Sequence, residues 1–97
     1  MRIIAKAALR DFWDLHPEAE QPLKSWHALT KAANWETPAQ VKGLFGTADI
    51  LPGSRVVFNI GGNKFRLIVK ISYRWKIVYI RFIGTHAAYD DVDATTI

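Results

Sequence analysis

Three β-rich runs between Arg55 and Thr85 constrain the fold of this chain most strongly. They are rich in Val, Ile, Phe and Tyr, and they are separated by Gly61-Gly62 and by a second turn near Arg74-Trp75. Cationic residues recur at alternate positions in this region. Because successive side chains of a strand point to opposite faces, this spacing places the cations on one face. The sequence therefore predicts an antiparallel sheet with an apolar face and a basic face.

The turn positions predict a register for this sheet. Gly61-Gly62 between two β-rich runs is typical of a two-residue hairpin, which would pair Val57 with Arg66. The second hairpin would place Lys70 opposite Tyr79, Ile68 opposite Arg81 and Arg66 opposite Ile83. Arg66 and Arg81 would then be diagonal neighbours within reach of one anion. The basic face would carry Arg55, Asn59, Lys64, Arg66, Lys70, Tyr79 and Arg81. The apolar face would carry Phe58, Phe65, Leu67, Val69, Ile71, Val78, Ile80 and Phe82.

The first half of the chain is predicted to be mainly helical. Apolar residues follow the three-four spacing of an amphipathic helix in two stretches, and prolines mark helix starts and stops. In order, we expect a short strand at Ile3-Ile4, a helix from Ala5 to His16 that Pro17 stops, and a second helix with the inner stripe Leu23 to Ala33. A short third helix should follow from the N-cap Thr37-Pro38 to about Lys42, and then a loop from Gly43 to Gly53.

Composition limits the functional classes. The 97 residues suffice for one domain spanning residues 1–97, and 49% apolar residues with four Trp exclude a disordered segment. A net charge of +4 suits an anionic partner. There is no Cys, and the three His lie far apart, so neither disulfides nor a familiar metal-ligand spacing is present. No apolar run approaches membrane-spanning length, and a cytoplasmic location is expected.

The basic face suggests phosphodiester chemistry. Arg offers a planar fork of donors to a phosphate and Lys adds a movable charge, which together would stabilise a pentacovalent transition state. Histidine can exchange protons near neutral pH, and tyrosine can stack on a base or donate a proton. The candidate catalytic residues are Lys64, Arg66, Arg81, His86 and Tyr89. The candidate RNA contacts are Arg55, Asn59, Lys70 and Tyr79.

Other interpretations stay open. Cations on an exposed sheet face are commonly present for solvation, and they discourage edge pairing. His86 can cap a turn, and Tyr89 can pack against the sheet. A non-catalytic RNA-binding domain would use the same face, and a protein-interaction module would present it to an acidic partner. The only carboxylates near the face are Asp90, Asp91 and Asp93, so we expect neither a metal nor another cofactor.

A longer motif resembles a known family. The run Val57 to Leu67 (Val-Phe-Asn-Ile-Gly-Gly-Asn-Lys-Phe-Arg-Leu), then Tyr79-Ile80-Arg81, and finally Thr85-His86 with Tyr89-Asp90 resemble the HigB family of toxins. That family belongs to the RelE-like group of toxin–antitoxin ribonucleases. The likeness extends over nearly the whole chain, including the Trp-rich second helix and Thr37-Pro38.

The resemblance implies a fold and an activity. It implies an α+β, RelE-like fold in which two N-terminal helices and a short third pack on a twisted, mainly antiparallel sheet. It also implies a metal-independent mRNA interferase that cuts mRNA in the ribosomal A site. A HigA-like antitoxin with a helix-turn-helix domain would neutralise it in a hetero-oligomeric complex. The residues carried over are Asn59, Lys64, Arg66, Arg81, His86 and Tyr89. Which of Lys64, His86 and Tyr89 is base and which is acid stays open.

Overall fold

A five-stranded sheet with three helices on one face organises the chain, and the computed structural model describes all residues from Met1 to Ile97. The strand order is β1-β5-β4-β3-β2, with β1 parallel to β5 and every other pair antiparallel. The strands are β1 (Arg2–Ile4), β2 (Asp49–Leu51), β3 (Arg55–Ile60), β4 (Phe65–Ser72) and β5 (Ile77–Thr85). The helices are α1 (Lys6–Leu15), α2 (Glu20–Ala32), α3 (Pro38–Leu44) and α4 (His86–Tyr89), with a 3₁₀ turn at Pro17–Ala19.

The predicted α+β class is confirmed, and so are most element positions. The Thr37 side chain accepts a hydrogen bond from the amide of Gln40 and starts α3, as expected of an N-cap. The predicted loop from Gly43 to Gly53 was wrong in part, because it contains the edge strand β2. No helix is long and apolar enough to cross a bilayer.

The first hairpin has a wider turn than the sequence predicted. Ile60 pairs with Phe65, so the turn contains four residues, Gly61 to Lys64. Both glycines have positive φ, at 64° and 71°, which glycine adopts without steric cost. Nη2 of Arg66 donates to Oδ1 of Asn63 at 2.6 Å and supports the wider turn. The predicted pairing of Val57 with Arg66 was therefore wrong. The shift is two residues, so each side chain of this hairpin keeps its predicted face.

The second hairpin contains a β-bulge that changes the predicted faces. Lys70 faces Tyr79 as expected, but Ile80 pairs with Val69 while Phe82 pairs with Ile68, which leaves Arg81 as the extra residue. Beyond the bulge Arg66 faces Gly84. The predicted pairs of Arg66 with Ile83 and of Ile68 with Arg81 were wrong. Phe82 was also assigned to the wrong face, since it packs with Val57 and Ile68 on the side away from the helices.

The helix-facing side of the sheet forms the main core. Alternate residues of β4, namely Phe65, Leu67, Val69 and Ile71, are at most 3% exposed and meet α1 and α2. Aromatic edges link the layers, as in the Trp26–Phe58 pair with ring centroids 5.4 Å apart. This burial fixes which face of the sheet stays available for function.

The opposite side of the sheet, called the outer face below, is partly covered by the C-terminal segment. Val57 and Ile68 are buried there beneath Ala94, together with the partly buried Val92 and Ile97. The guanidinium of Arg55 donates twice to the carbonyl oxygen of Ile97, at 3.1 and 3.0 Å. The prediction of a fully basic outer face was therefore incomplete, because an apolar cluster lies in its middle.

A glycine next to the bulge should be sensitive to substitution. A Cβ atom on Gly84 would lie 2.5 Å from Cζ of Phe82, so Gly84→Ala must displace that ring from its cluster. We expect a loss of about 1–3 kcal/mol in the free energy of unfolding. The matched control is Gly43→Ala in α3, where a Cβ meets nothing within 4 Å and should stabilise by up to about 1 kcal/mol. Urea unfolding of both variants measures the difference, and equal stabilities would contradict this packing.

Candidate active site

The candidate site lies at the sheet end formed by the first hairpin turn and the start of α4. The amide of His86 donates to the carbonyl of Lys64 at 3.1 Å, which ties α4 to that turn. The hydroxyl of Thr85 accepts from the amide of Ala88 at 3.2 Å and caps the helix. The short helix therefore begins at a fixed position beside the turn.

Arg66, Tyr89 and His86 form the centre of this site. The guanidinium carbon of Arg66 lies 5.8 Å from the centroid of the Tyr89 ring, within cation–π range. The rings of His86 and Tyr89 meet edge to face, with centroids 6.4 Å apart. Hydrogen bonds to Asn63 restrain the guanidinium. A fixed guanidinium, an imidazole and a phenol therefore converge at one end of the outer face, next to the exposed Lys64.

His86 also has a carboxylate partner. Nδ1 of His86 lies 3.6 Å from Oδ2 of Asp90, one helical turn away. The side chains are 48% and 64% exposed, so the pair is open to solvent and contributes little to stability. The remaining ring nitrogen, Nε2, has no ion-pair partner in this arrangement.

A second group of candidate residues lies further along the sheet. Lys70 faces Tyr79, and the guanidinium carbon of Arg81 lies 5.8 Å from the Tyr79 ring centroid. Arg81 precedes Gly84 by three positions, and Gly84 faces Arg66. The offset along the strand is on the order of 10 Å. The prediction that Arg66 and Arg81 are diagonal neighbours was therefore wrong, because the bulge at Arg81 adds one position to the offset between them.

The remaining predicted RNA contacts, Asn59 and Arg55, both form hydrogen bonds within the protein. Asn59 faces Arg66 across the hairpin, and its side-chain amide donates to the carbonyl of Thr47 at 3.4 Å. Arg55 is occupied by its hydrogen bonds to Ile97, as described above. The structure thus brings the side chains of Arg66, His86 and Tyr89 together. The backbone of Lys64 is bonded to His86, Asn59 faces Arg66, and the other candidates lie further along the face.

Sequence analysis missed two residues of this site. Asn63 orients Arg66, and Asp90 faces His86. The spacing of these residues was a usable signal, since Asn63 precedes Arg66 by three residues near a turn, and Asp90 follows His86 by four residues, the spacing of one helical turn.

Among the cations of the outer face, Arg55 lies close enough to Asp93 to act on it electrostatically, whereas Arg66, Lys70 and Arg81 form no ion pair. The two ion pairs of the structure are Lys24–Glu20 and His86–Asp90. Arg66, Lys70 and Arg81 are thus not neutralised by a carboxylate. No group of three or more His, Asp or Glu side chains is arranged to hold a metal ion. The face is suited to an anion with several oxygen atoms, such as a phosphodiester.

The sequence of this chain matches a family of toxins. Residues 19–92 match the HigB toxin family, the RelE-like toxic component of a toxin–antitoxin system. The match extends over most of the chain, which therefore belongs to the HigB toxin family. As the toxic component of such a system, it has an antitoxin as its partner.

Individual relatives agree with the family. The mRNA interferase toxin HigB of Escherichia coli (strain K12) is 27% identical over 92 residues, which cover 93% of this chain and 88% of that protein. The mRNA interferase HigB of Escherichia coli O6:H1 is 28% identical over 92 residues, covering 93% and 89% respectively. An mRNA interferase HigB from Shigella flexneri is similar to the same extent as the K12 protein.

Substitutions at Tyr89 and His86 separate packing from chemistry. The Tyr89 ring packs against the Val57–Ile68 cluster, so Tyr89→Ala should cost about 1–3 kcal/mol of stability. Tyr89→Phe keeps the ring and should fold like the parent. The exposed His86 should tolerate His86→Gln within about 0.5 kcal/mol. Thermal unfolding of the three variants tests this. A melting temperature several degrees lower for His86→Gln would instead assign His86 a structural role.

Proposed function

We propose that this chain is a ribosome-dependent, metal-independent mRNA endoribonuclease, which stops translation as the toxin of its toxin–antitoxin pair. The observation that carries the proposal is the convergence of Arg66, His86 and Tyr89 on a face where Arg66, Lys70 and Arg81 form no ion pair with a carboxylate. Family membership and the printed names of the relatives, mRNA interferases, support the same activity.

The proposed reaction is transesterification within RNA. A base removes the proton of the 2′-hydroxyl, the 2′-oxygen attacks phosphorus, and an acid protonates the departing 5′-oxygen. The products are a 2′,3′-cyclic phosphate and a 5′-hydroxyl. Arg66 would bind the non-bridging oxygens, where negative charge grows in the transition state. Lys64, His86 and Tyr89 supply the proton-transfer groups, and their division between base and acid is left to experiment.

The other cations would hold the RNA strand beside the reacting phosphate. Lys70 and Arg81 lie on the same side as Arg66, and the Tyr79 ring between them offers a surface on which a base can stack. Asn59 is beside Arg66 and can contact the nucleotide there. We assign Arg81 to this strand-binding group, since the bulge separates it from Arg66, and we assign Arg55 the weakest role because Ile97 occupies it.

Partners follow from the proposed activity. The substrate would be mRNA in the ribosomal A site, which implies a cytoplasmic location. A HigA-like helix-turn-helix antitoxin would inhibit the toxin in a hetero-oligomeric complex. A non-catalytic RNA-binding domain is the competing hypothesis, and it differs in leaving bound RNA intact.

The substitution Arg66→Ala tests the catalytic assignment. Loss of an electrostatic stabiliser of the transition state should slow cleavage by about two to three decades. The rate of appearance of 2′,3′-cyclic phosphate ends on ribosome-bound mRNA measures this effect. In bacteria, the parent chain should arrest growth and Arg66→Ala should not. The matched control is Arg74→Ala in the distant second hairpin turn, which should stay toxic.

Three results would count against this assignment. Full cleavage by folded Arg66→Ala would exclude Arg66 from the active site. Normal growth with high expression of the parent chain, without an antitoxin, would argue against toxin activity. Binding of RNA by the parent chain without any cleavage would favour the RNA-binding hypothesis.

Chelation tests the proposed metal independence. Because Arg, His, Tyr and Lys can supply both proton transfer and charge stabilisation, the cleavage step should proceed at the same rate when EDTA is added to pre-formed ribosome complexes. Magnesium must be retained only at the level that keeps the ribosome intact. A cleavage rate that follows the concentration of added manganese or zinc would contradict acid–base catalysis by side chains alone.

A further inference from the structure

A cavity lies on the other side of the molecule, between β1, the start of α1 and the second half of α2. Its volume is about 300 Å³, and Met1, Arg2, Ile3, Lys6, His27 and Lys31 line it. β1 pairs with β5 at Ile77 to Tyr79, whereas the candidate active site adjoins Thr85 at the opposite end of β5. The offset along the strand is on the order of 20 Å. The cavity is therefore separate from the candidate active site.

The lining of this cavity is cationic and contains no acidic residue. Arg2, Lys6 and Lys31 come from three different elements, and none of them belongs to an ion pair of the structure. The amino group of Met1 donates to the carbonyls of Lys31 and Ala33, at 3.1 and 2.6 Å. That contact offsets the negative end of the α2 dipole, which would otherwise oppose an anion.

The titratable groups in this region experience the uncompensated positive charge. Burial lowers the pKa of His27 from its ordinary value, and the positive charges of Lys6 and Lys31 lower it further. Burial also lowers the pKa of the Met1 amino group, with a further contribution from Lys76. An anion held among these groups would counteract the positive charges of Lys6 and Lys31 and so raise the pKa of His27.

We propose that this cavity binds a phosphate group of an RNA chain, as a second anchoring point outside the candidate active site. Three converging cations and a histidine match the several acceptor oxygens of a phosphate. Only Met1 and Ile3 are apolar among the six lining residues, so the cavity lacks the apolar anchor typical of a protein interface. The proposal goes beyond the proposed ribonuclease function, because binding here requires no cleavage.

Inorganic phosphate tests the site directly. In NMR titrations of the full chain, phosphate should shift the His27 ring resonances saturably and raise the His27 pKa. Charge removal by Lys6→Gln with Lys31→Gln should abolish the response. The matched control is Lys24→Gln, which removes a cation from α2 outside the cavity. The Arg66→Ala variant should respond like the parent, so this result is independent of catalysis. The absence of a saturable response in the parent would overturn the proposal.

A single-stranded RNA with 2′-O-methyl groups, which cannot undergo the proposed cleavage, distinguishes an RNA phosphate from free phosphate. Replacement of either cavity lysine by Gln should weaken RNA binding. It should also reduce the magnitude of the slope of log Kobs against log salt concentration by about 0.7. Lys24→Gln should leave the slope unchanged. An unchanged slope in the cavity variants, despite phosphate binding, would show a site for free phosphate and refute the RNA assignment. Stronger competition by an acidic peptide than by RNA would also refute it and favour a protein partner.

Discussion

The burial of β4 on both faces is the constraint on which the rest of the structure depends. Leu67 and Val69 face the helices, while Ile68 between them faces the C-terminal segment, and all three have zero exposure. Fully burying an aliphatic side chain contributes about 1.5–3 kcal/mol, so this short run supports two clusters at once. With Ile68 fixed, its outer-face neighbours Arg66 and Lys70 have defined positions on either side of an apolar centre.

The C-terminal segment packs on that apolar centre and divides the cations of the outer face into two groups. Ala94, Val92 and Ile97 cover Val57 and Ile68, and the same segment holds α4 beside Arg66. The cations are thereby divided into two groups, with Arg66 near His86 at one end and Lys70 near Arg81 further along. An uninterrupted basic face would bind RNA with little preference for one phosphate. A divided face can hold the reacting phosphate and its flanking nucleotides at different places.

Sequence patterns predicted the elements better than their register. The β-rich runs, the Thr37 cap and the helical stretches depend on local preferences, and the structure confirms them. The bulge at Arg81 was not predictable in this way, because a period of two in apolar residues does not reveal one inserted residue. Phe82 was misplaced for that reason. The Gly61-Gly62 pair predicted the hairpin correctly, but it did not predict the four-residue turn, which the hydrogen bond between Asn63 and Arg66 supports.

The candidate site was predicted in composition and only partly in geometry. Arg66, His86 and Tyr89 were selected because their residue types suit RNA cleavage, and the fold brings them together. The apolar residues that cover the outer face were missed. Val92, Ala94 and Ile97 lie in a short acidic segment with no regular period, so only tertiary packing reveals their role.

The openness of the candidate site bears on the proposed dependence on the ribosome. His86 is half-exposed, and the one cavity of the structure lies elsewhere. In water, the attraction between Arg66 and a phosphate is weakened by the high dielectric constant, and mobile RNA seldom adopts the in-line geometry of attack. A second surface that covers the face and holds the RNA would exclude water and align the 2′-oxygen. In the proposed mechanism, an enclosing surface such as the ribosomal A site would supply that exclusion and alignment to the exposed cluster.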